Sequence, residues 1–351
     1  MQNKHFAIGL QGGGTKGVSY IGAYRALLNY FTESKDPEDL NITSMIGSSA
    51  GALVACGMSL KLSIEEGSNV IIKYLSNITK KDKKEYFYNE HKEEEILESL
   101  RGFLKEYGIF NDTLLEFIEE GLSSPKITEI ILKKLHEINP SIKELLTQRD
   151  TDGNEQLSLS ALADASLMKG EELREMGVHM VLIFLKRYYK KEFGIVLEDS
   201  QELRMEAEKF TLKRMYDLTG LEFTCTAVDT EDYILRFFNH KTTPNLPLCD
   251  AVRISASFPI GFEAQKWKEE WGKYYIHYEN TRRELSLMKE EVANGKRCLR
   301  GHELIDGGML ANFPLKYLDN EKMRPMYFSH KRVKKEEDPE KYTVLYGFGL
   351  E

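Results

Sequence analysis

The sequence predicts an α/β domain on a mostly parallel sheet, from three observations. Two strand-turn-helix units follow one another near the N-terminus, both turns are glycine-rich, and strand-like segments return only late in the chain. In the first unit His5–Leu10 is an apolar strand. A glycine turn follows, then a helix over 17–30 that gathers Ile21, Tyr24, Ala26, Leu27 and Leu28 largely on one face. In the second, 41–46 is β-like, 47–51 is a turn, and 52–60 has the small apolar residues of a buried helix. Residues 62–209 then change texture to Lys/Glu-rich segments with helical periodicity at 93–107, 114–120 and 127–138, which we read as a helical insertion. Strands resume at 221–228 and 233–238, joined by the turn Asp229-Thr230-Glu231-Asp232. A proline-containing stretch over 243–259 leads into 260–264, and 266–300 reads as a second, smaller polar insertion. A short strand at 303–305 enters Asp306-Gly307-Gly308, and 342–348 is the expected last core strand. The chain thus reads as one domain, 1–351, with two insertions.

The bulk numbers narrow the function. At 351 residues and 41% hydrophobic content a sizeable core is expected. A net charge of -8 and a pI near 5.7 argue against nucleic acid as a partner, because phosphate-backbone binding needs clustered cations, whereas the lysines here alternate with Glu. Cys56, Cys225, Cys249 and Cys298 are widely spaced and form no C-x-x-C pair, which speaks against a zinc knuckle or redox motif and fits a reducing compartment. The N-terminus lacks the apolar region of a signal peptide, and no run approaches the ~18 apolar residues of a membrane span. The expectation is a cytoplasmic protein with peripheral membrane contact, with non-classical secretion left open. The last strand ends close to Glu351, which also leaves room for a longer natural chain.

Three motifs carry chemistry. Gly12-Gly13-Gly14-Thr15-Lys16-Gly17 lies between strand and helix, where glycine backbone can turn its N–H groups toward one point and the helix N-terminus favours negative charge. Such a turn holds an oxyanion or a phosphate, or is a plain tight turn. Its spacing also satisfies G-x-G-x-x-G, so a dinucleotide site stays open, while a Walker loop is excluded because no G-K-[ST] follows. Gly47-Ser48-Ser49-Ala50-Gly51 is a G-x-S-x-G at the end of a strand and the start of a helix, the setting of a nucleophile elbow, against the plainer reading of a Ser/Gly-rich helix start. Ser49 is central between the two glycines, and Ser48 is the competing hydroxyl. Asp306-Gly307-Gly308 alone would be a turn, and gains meaning only in company.

A serine nucleophile needs a base. Of His5, His91, His136, His179, His240, His277, His302 and His330, only His330 follows Asp306 as the Ser, Asp, His order demands, and it sits in the basic stretch Ser329-His330-Lys331-Arg332. A carboxylate base is the simpler account. A carboxylate of ordinary pKa near 4 is a weak base for a hydroxyl, so the site must be dry and must stabilise the oxyanion strongly.

Together, GGGTKG at 12–17, GSSAG at 47–51 and DGG at 306–308 resemble the patatin-like phospholipase family, whose pattern is G-G-G-x-[RK]-G, G-x-S-x-G and D-G-[GA] in that order. The stretches 211–228 and 248–262 look similar as well. The resemblance implies a patatin-like three-layer α/β fold and a phospholipase A-type lipid acyl hydrolase. Ser49 would be the nucleophile, Asp306 the base, and the N–H groups of Gly12, Gly13 and Gly14 the oxyanion hole. Lys16, Gly17, Gly47, Gly51, Gly307 and Gly308 would support the motifs, with no metal and no cofactor. The implied substrate is a membrane phospholipid, with room for an activating protein or small-molecule ligand. The segment 62–209 shows little of the resemblance, so substrate selection is the part least legible. Competing functions are a triad esterase using His330 on small esters and a non-catalytic nucleotide- or phosphate-binding module.

Three further features carry less. Asp150-Thr151-Asp152-Gly153-Asn154 hints at a calcium loop, but its Gly falls at the fourth position instead of the sixth and Ala161 stands where the twelfth-position Glu belongs, so it reads as a surface turn. Residues 180–184, followed by Lys186, Arg187, Lys190 and Lys191, fit either an apolar lid or membrane-contact element or a core segment with a solvated end. Residues 331–335 read as a charged loop.

Overall fold

The fold comes from a computed structural model that describes residues 5–13, 17, 19–32, 41–81, 147–149, 155–157, 170–232, 234–258, 262–276, 296–320, 327–329, 334, 337 and 343–349. Strand β1 (His5–Leu10) is followed by helix α1 (Tyr20–Phe31), strand β2 (Ile42–Gly47) by α2 (Ala50–Ser59) and α3 (Ile64–Lys81). A short hairpin, β3 (Thr147–Arg149) with β4 (Glu155–Leu157), flanks the suggested calcium loop, whose own residues lie outside the described set. Then come α4 (Glu171–Phe193), α5 (Gln201–Glu208), α6 (Leu212–Thr219), β5 (Glu222–Asp229), β6 (Ile234–Phe238) and α7 (Leu248–Ser255). Short strands β7 (Gln265–Lys266), β8 (Tyr274–Tyr275) and β9 (Lys296–Arg297) precede β10 (Glu303–Asp306), α8 (Gly308–Ala311), α9 (Leu315–Asp319) and β11 (Thr343–Phe348).

The main sheet runs β11-β1-β2-β5-β10-β7, with β6 also paired to β5. It is parallel from β11 to β5 and antiparallel where β6, β10 and β7 join. Alternation along β1 makes the layers. Phe6, Ile8 and Leu10 enter the large core under the helices, while Ala7 enters a second cluster with Ile46, Phe237, Leu318 and Phe328. A Cβ on Gly9 would come within 2.6 Å of Leu315 Cβ, so glycine lets α9 lie directly on the second face. The result is the three-layer α/β fold that the sequence predicts.

The segment read as a helical insertion is not peripheral at its described ends. In α4, Leu173, Met176, Gly177, Met180, Val181, Phe184 and Leu185 recur at helical spacing and are buried in the main core. A Cβ on Gly177 would stand 2.8 Å from Cys249 Cα, so α4 and α7 touch backbone to backbone. This overturns the lid or membrane-contact expectation for 180–184: Met180 and Val181 are fully buried, and Leu182 and Ile183 pack against the core. The second polar segment is likewise core at its start, where Trp267, Trp271 and Tyr274 are buried. Within the proline-containing stretch 243–259 lies helix α7. Among the described residues, no helix is long and apolar enough to cross a membrane.

Candidate active site

The register of β5 sets the site. Cys225 pairs with Gly47 of β2 and also with Phe238 of β6; Ala227 pairs with Asp306 of β10 and also with Arg236 of β6. A strand has two edges, so β2 and β10 must share the edge opposite β6. They run toward each other along it, and their ends meet across Thr226. Gly47 and Asp306 are therefore separated by two strand residues, roughly 7 Å along β5.

Ser49 occupies the turn that follows. It has φ 53 and ψ -128, one of two non-glycine residues with positive φ among the described residues, a conformation costing about 1–3 kcal/mol. The surroundings enforce it. A Cβ on Gly47 would lie 2.5 Å from the Gly51 backbone, and one on Gly51 would lie 2.5 Å from Leu10 O and 2.6 Å from Gln11 O. Ser49 N–H donates to Ser255 O at 3.0 Å, and Ser49 caps α2, whose N-terminal dipole points at it. Ser48, the competing hydroxyl, is fully buried; it donates to Ala311 O at 2.6 Å and contacts Thr226 Oγ1. Ser48 is thus a structural strut, and Ser49, at 7% exposure, is the more accessible of the two.

Asp306 is fully buried at the end of β10. Its N–H donates to Ser257 O at 3.0 Å, and its Oδ1 accepts from Gly308 N–H at 2.7 Å, which fixes the carboxyl plane. Gly307 leaves no room for a side chain, since a Cβ would meet Thr226 Oγ1 at 2.0 Å. The end of α7 thus anchors both predicted residues, Ser49 through Ser255 O and Asp306 through Ser257 O. Sequence reasoning gave α7 no such role, although 248–262 was among the stretches resembling the family.

The glycine loop reaches the same place. Gly12 N–H donates to Asn312 O at 2.8 Å, and a Cβ there would lie 2.9 Å from Ser49 Cβ. Gly12 is thus the close-approach residue of the loop, with its N–H already engaged. Gly17 would clash with Ala50 Cβ at 2.9 Å if substituted, so the far end of the loop also rests on the elbow. Gly14, Lys16 and His330 lie outside the described residues.

The described histidines have other partners. His302 Nδ1 is 2.9 Å from Asp229 Oδ1, His240 stacks on the Tyr216 ring, His5 contacts Asn41, and His179 meets the Tyr74 ring edge-on. Asp229, Asp232 and His302 bring three potential metal-ligand atoms within 4.8 Å of one another, but the Arg236 guanidinium pairs with both carboxylates and takes the cation's place.

A sequence profile of the patatin-like phospholipase family matches residues 9–319. Comparison with curated protein sequences returns no match. Among solved structures, VipD from Legionella pneumophila is similar at a TM-score of 0.36 and 16% identity, covering 99% of this chain and 50% of that one. Full-length ExoU, solved with SpcU from the type III secretion system of Pseudomonas aeruginosa, is similar at 0.35 and 19%, covering 74% and 39% respectively. This chain spans half or less of the length of these structures. With the three motifs gathered around one turn and a profile match over most of its length, the chain belongs to the patatin-like phospholipase family.

Proposed function

We propose that this chain is a phospholipase A-type lipid acyl hydrolase that cleaves acyl esters of membrane glycerophospholipids with Ser49 as nucleophile and Asp306 as base. The observation that carries this is the strained backbone of Ser49, at φ 53, in an elbow whose flanking glycines leave no alternative. In the first step Ser49 Oγ attacks the ester carbonyl carbon and its proton passes to Asp306. The carbonyl oxygen becomes an oxyanion. Because Gly12 N–H already donates to Asn312 O, the stabilising donors fall to Gly13 and Gly14, aided by the α2 N-terminus. Collapse breaks the bond to the lysolipid oxygen, which takes the proton from Asp306 and leaves an acyl-Ser49 ester. Water then attacks that ester, again giving its proton to Asp306, and fatty acid departs as Ser49 recovers its own.

No metal ion enters these steps. A cytoplasmic location with peripheral membrane contact, and an activating protein or small ligand, belong to the same proposal. Since 180–184 is core, the membrane-facing surface must be sought elsewhere.

The test is to incubate the purified protein with vesicles of mixed phospholipids in EDTA and identify products by mass. Fatty acid and lysolipid in equal amounts are expected from wild type, and neither from Ser49→Ala or Asp306→Asn. Hydrolysis that survives Asp306→Asn, or that needs calcium restored, would overturn the dyad.

A further inference from the structure

The aspartate end of the site is tied to a buried ion-pair cluster that the chemistry above does not use. Asp229, the last residue of β5, is fully buried, and so is Arg236 of β6. Arg236 Nε and Nη2 donate to Asp229 Oδ2 at 3.0 and 2.7 Å, and Nη2 also reaches Asp232 in the β5–β6 turn. The guanidinium lies 5.1 Å over the Tyr274 ring, whose hydroxyl accepts from Phe237 N–H. Opposite Arg236, His302 Nδ1 lies 2.9 and 3.0 Å from the two Asp229 oxygens. Burial pushes the Asp229 carboxyl up, but Arg236 and His302 outweigh it and hold it below the usual carboxylate range. An ionised carboxylate only accepts, so His302 Nδ1 carries the hydrogen.

The cluster has a direct line to the site. His302 immediately precedes β10, Leu304 pairs with Asp229, and Asp306 pairs with Ala227. Glu303 O accepts from both Thr230 N–H and Thr230 Oγ1, so the start of β10 is fastened at Glu303 through Thr230 and at the adjacent residue by the hydrogen bond between His302 and Asp229. Strand β10 has only four residues, and its register decides where its last one, Asp306, stops. At the other end of β10, Asp306 N–H donates to Ser257 O and its Oδ1 accepts from Gly308 N–H.

We propose that His302, through Asp229 and Arg236, is a positioning residue that sets the register of β10 and thereby the distance from Asp306 to Ser49. This rests on the Ser49–Asp306 assignment for its catalytic consequence but not for its structural one. The His302 ring touches neither the nucleophile nor the base, so its removal should alter turnover and not substrate affinity.

The experiment compares full-length wild type, His302→Ala and His302→Asn, whose side-chain amide nitrogen can stand in for Nδ1. Steady-state hydrolysis of a soluble aryl ester is measured beside amide hydrogen exchange of 303–308 and 42–47. In His302→Ala, kcat should fall roughly tenfold to a hundredfold with KM little changed, since misplacement by about 1 Å costs that much. His302→Asn should recover most of the loss. Exchange in His302→Ala should quicken over 303–308 while 42–47 stays as in wild type. Unchanged kcat, a failure of Asn to recover it, or exchange that rises equally in both segments would overturn the positioning role. If wild type cleaves no ester at all, the dyad assignment fails, and the exchange comparison alone then upholds or overturns the register claim.

Discussion

The serine end and the aspartate end of the site are held in place by different materials. Around Ser49 the constraint is backbone: Gly47 and Gly51 let α2 turn directly off β2, Gly12 presses within a Cβ's width of Ser49, and Ser255 O receives the Ser49 N–H. Asp306 has backbone contacts too, at Ser257 O and Gly308 N–H, but the start of its four-residue strand is held by side chains, where a buried guanidinium, two carboxylates and an imidazole gather. Backbone constraint of the first kind leaves a pattern of glycines at fixed spacing. The second kind leaves none, because Asp229, Asp232, Arg236 and His302 are scattered over the sequence and resemble a solvated turn until β5, β6 and β10 are paired.

Substitutions can break this contrast. The largest effect is expected for Arg236→Met, which strands the Asp229 carboxylate without its cation and should destabilise the protein by about 3–5 kcal/mol in denaturant titration. A loss under about 1 kcal/mol would mean the ion pairs add little to the backbone contacts that hold β10. Gly51→Ala comes next, at about 1–3 kcal/mol, because the added Cβ meets the carbonyls of Leu10 and Gln11, which cannot rotate away. Its control is Gly22→Ala in α1, where a Cβ meets nothing within 4 Å and helix propensity predicts a gain of about 0.5–1 kcal/mol. If both changes had the same sign, steric enforcement of the elbow would be wrong. Ser48→Ala should cost about 1–2 kcal/mol by leaving buried partners on Thr226 and Ala311 unmet, while activity per folded molecule is retained. Loss of activity at full stability would instead make Ser48 part of the chemistry.

Much of the scaffold was readable. His5–Leu10 forms the predicted strand, and β2, β5, β6, β10 and β11 lie within a residue or two of expectation, because short apolar runs ending at Gly or Asp are strong local signals. At α4, of the two readings open for 180–184, the core segment holds and the lid does not, for a physical reason. Its charges fill one face and raise the polarity of the whole segment, so 180–184 stood out as an isolated apolar run; the buried stripe from Leu173 to Leu185 is visible only at helical spacing. Helix α7 was not picked out of the proline-containing stretch 243–259, although Pro247 directly before the helix, and Asp250 in its first turn, are starting signals. At the site, the two residues proposed for the chemistry were nameable from motifs. The carbonyls that hold them, of Ser255, Ser257 and Asn312, were not, since any residue supplies a carbonyl and only the fold selects which.

The central claim is that a backbone-strained serine and a register-set aspartate act together, and a fluorophosphonate probe tests it most directly. Intact-mass and peptide analysis should show one adduct per chain on the peptide carrying Ser49 in wild type. Ser49→Ala should carry none, and Asp306→Asn should react at least about a hundredfold more slowly while melting as wild type does. An adduct that persists in Ser49→Ala, or one that forms at the wild-type rate in a folded Asp306→Asn protein, would contradict the account.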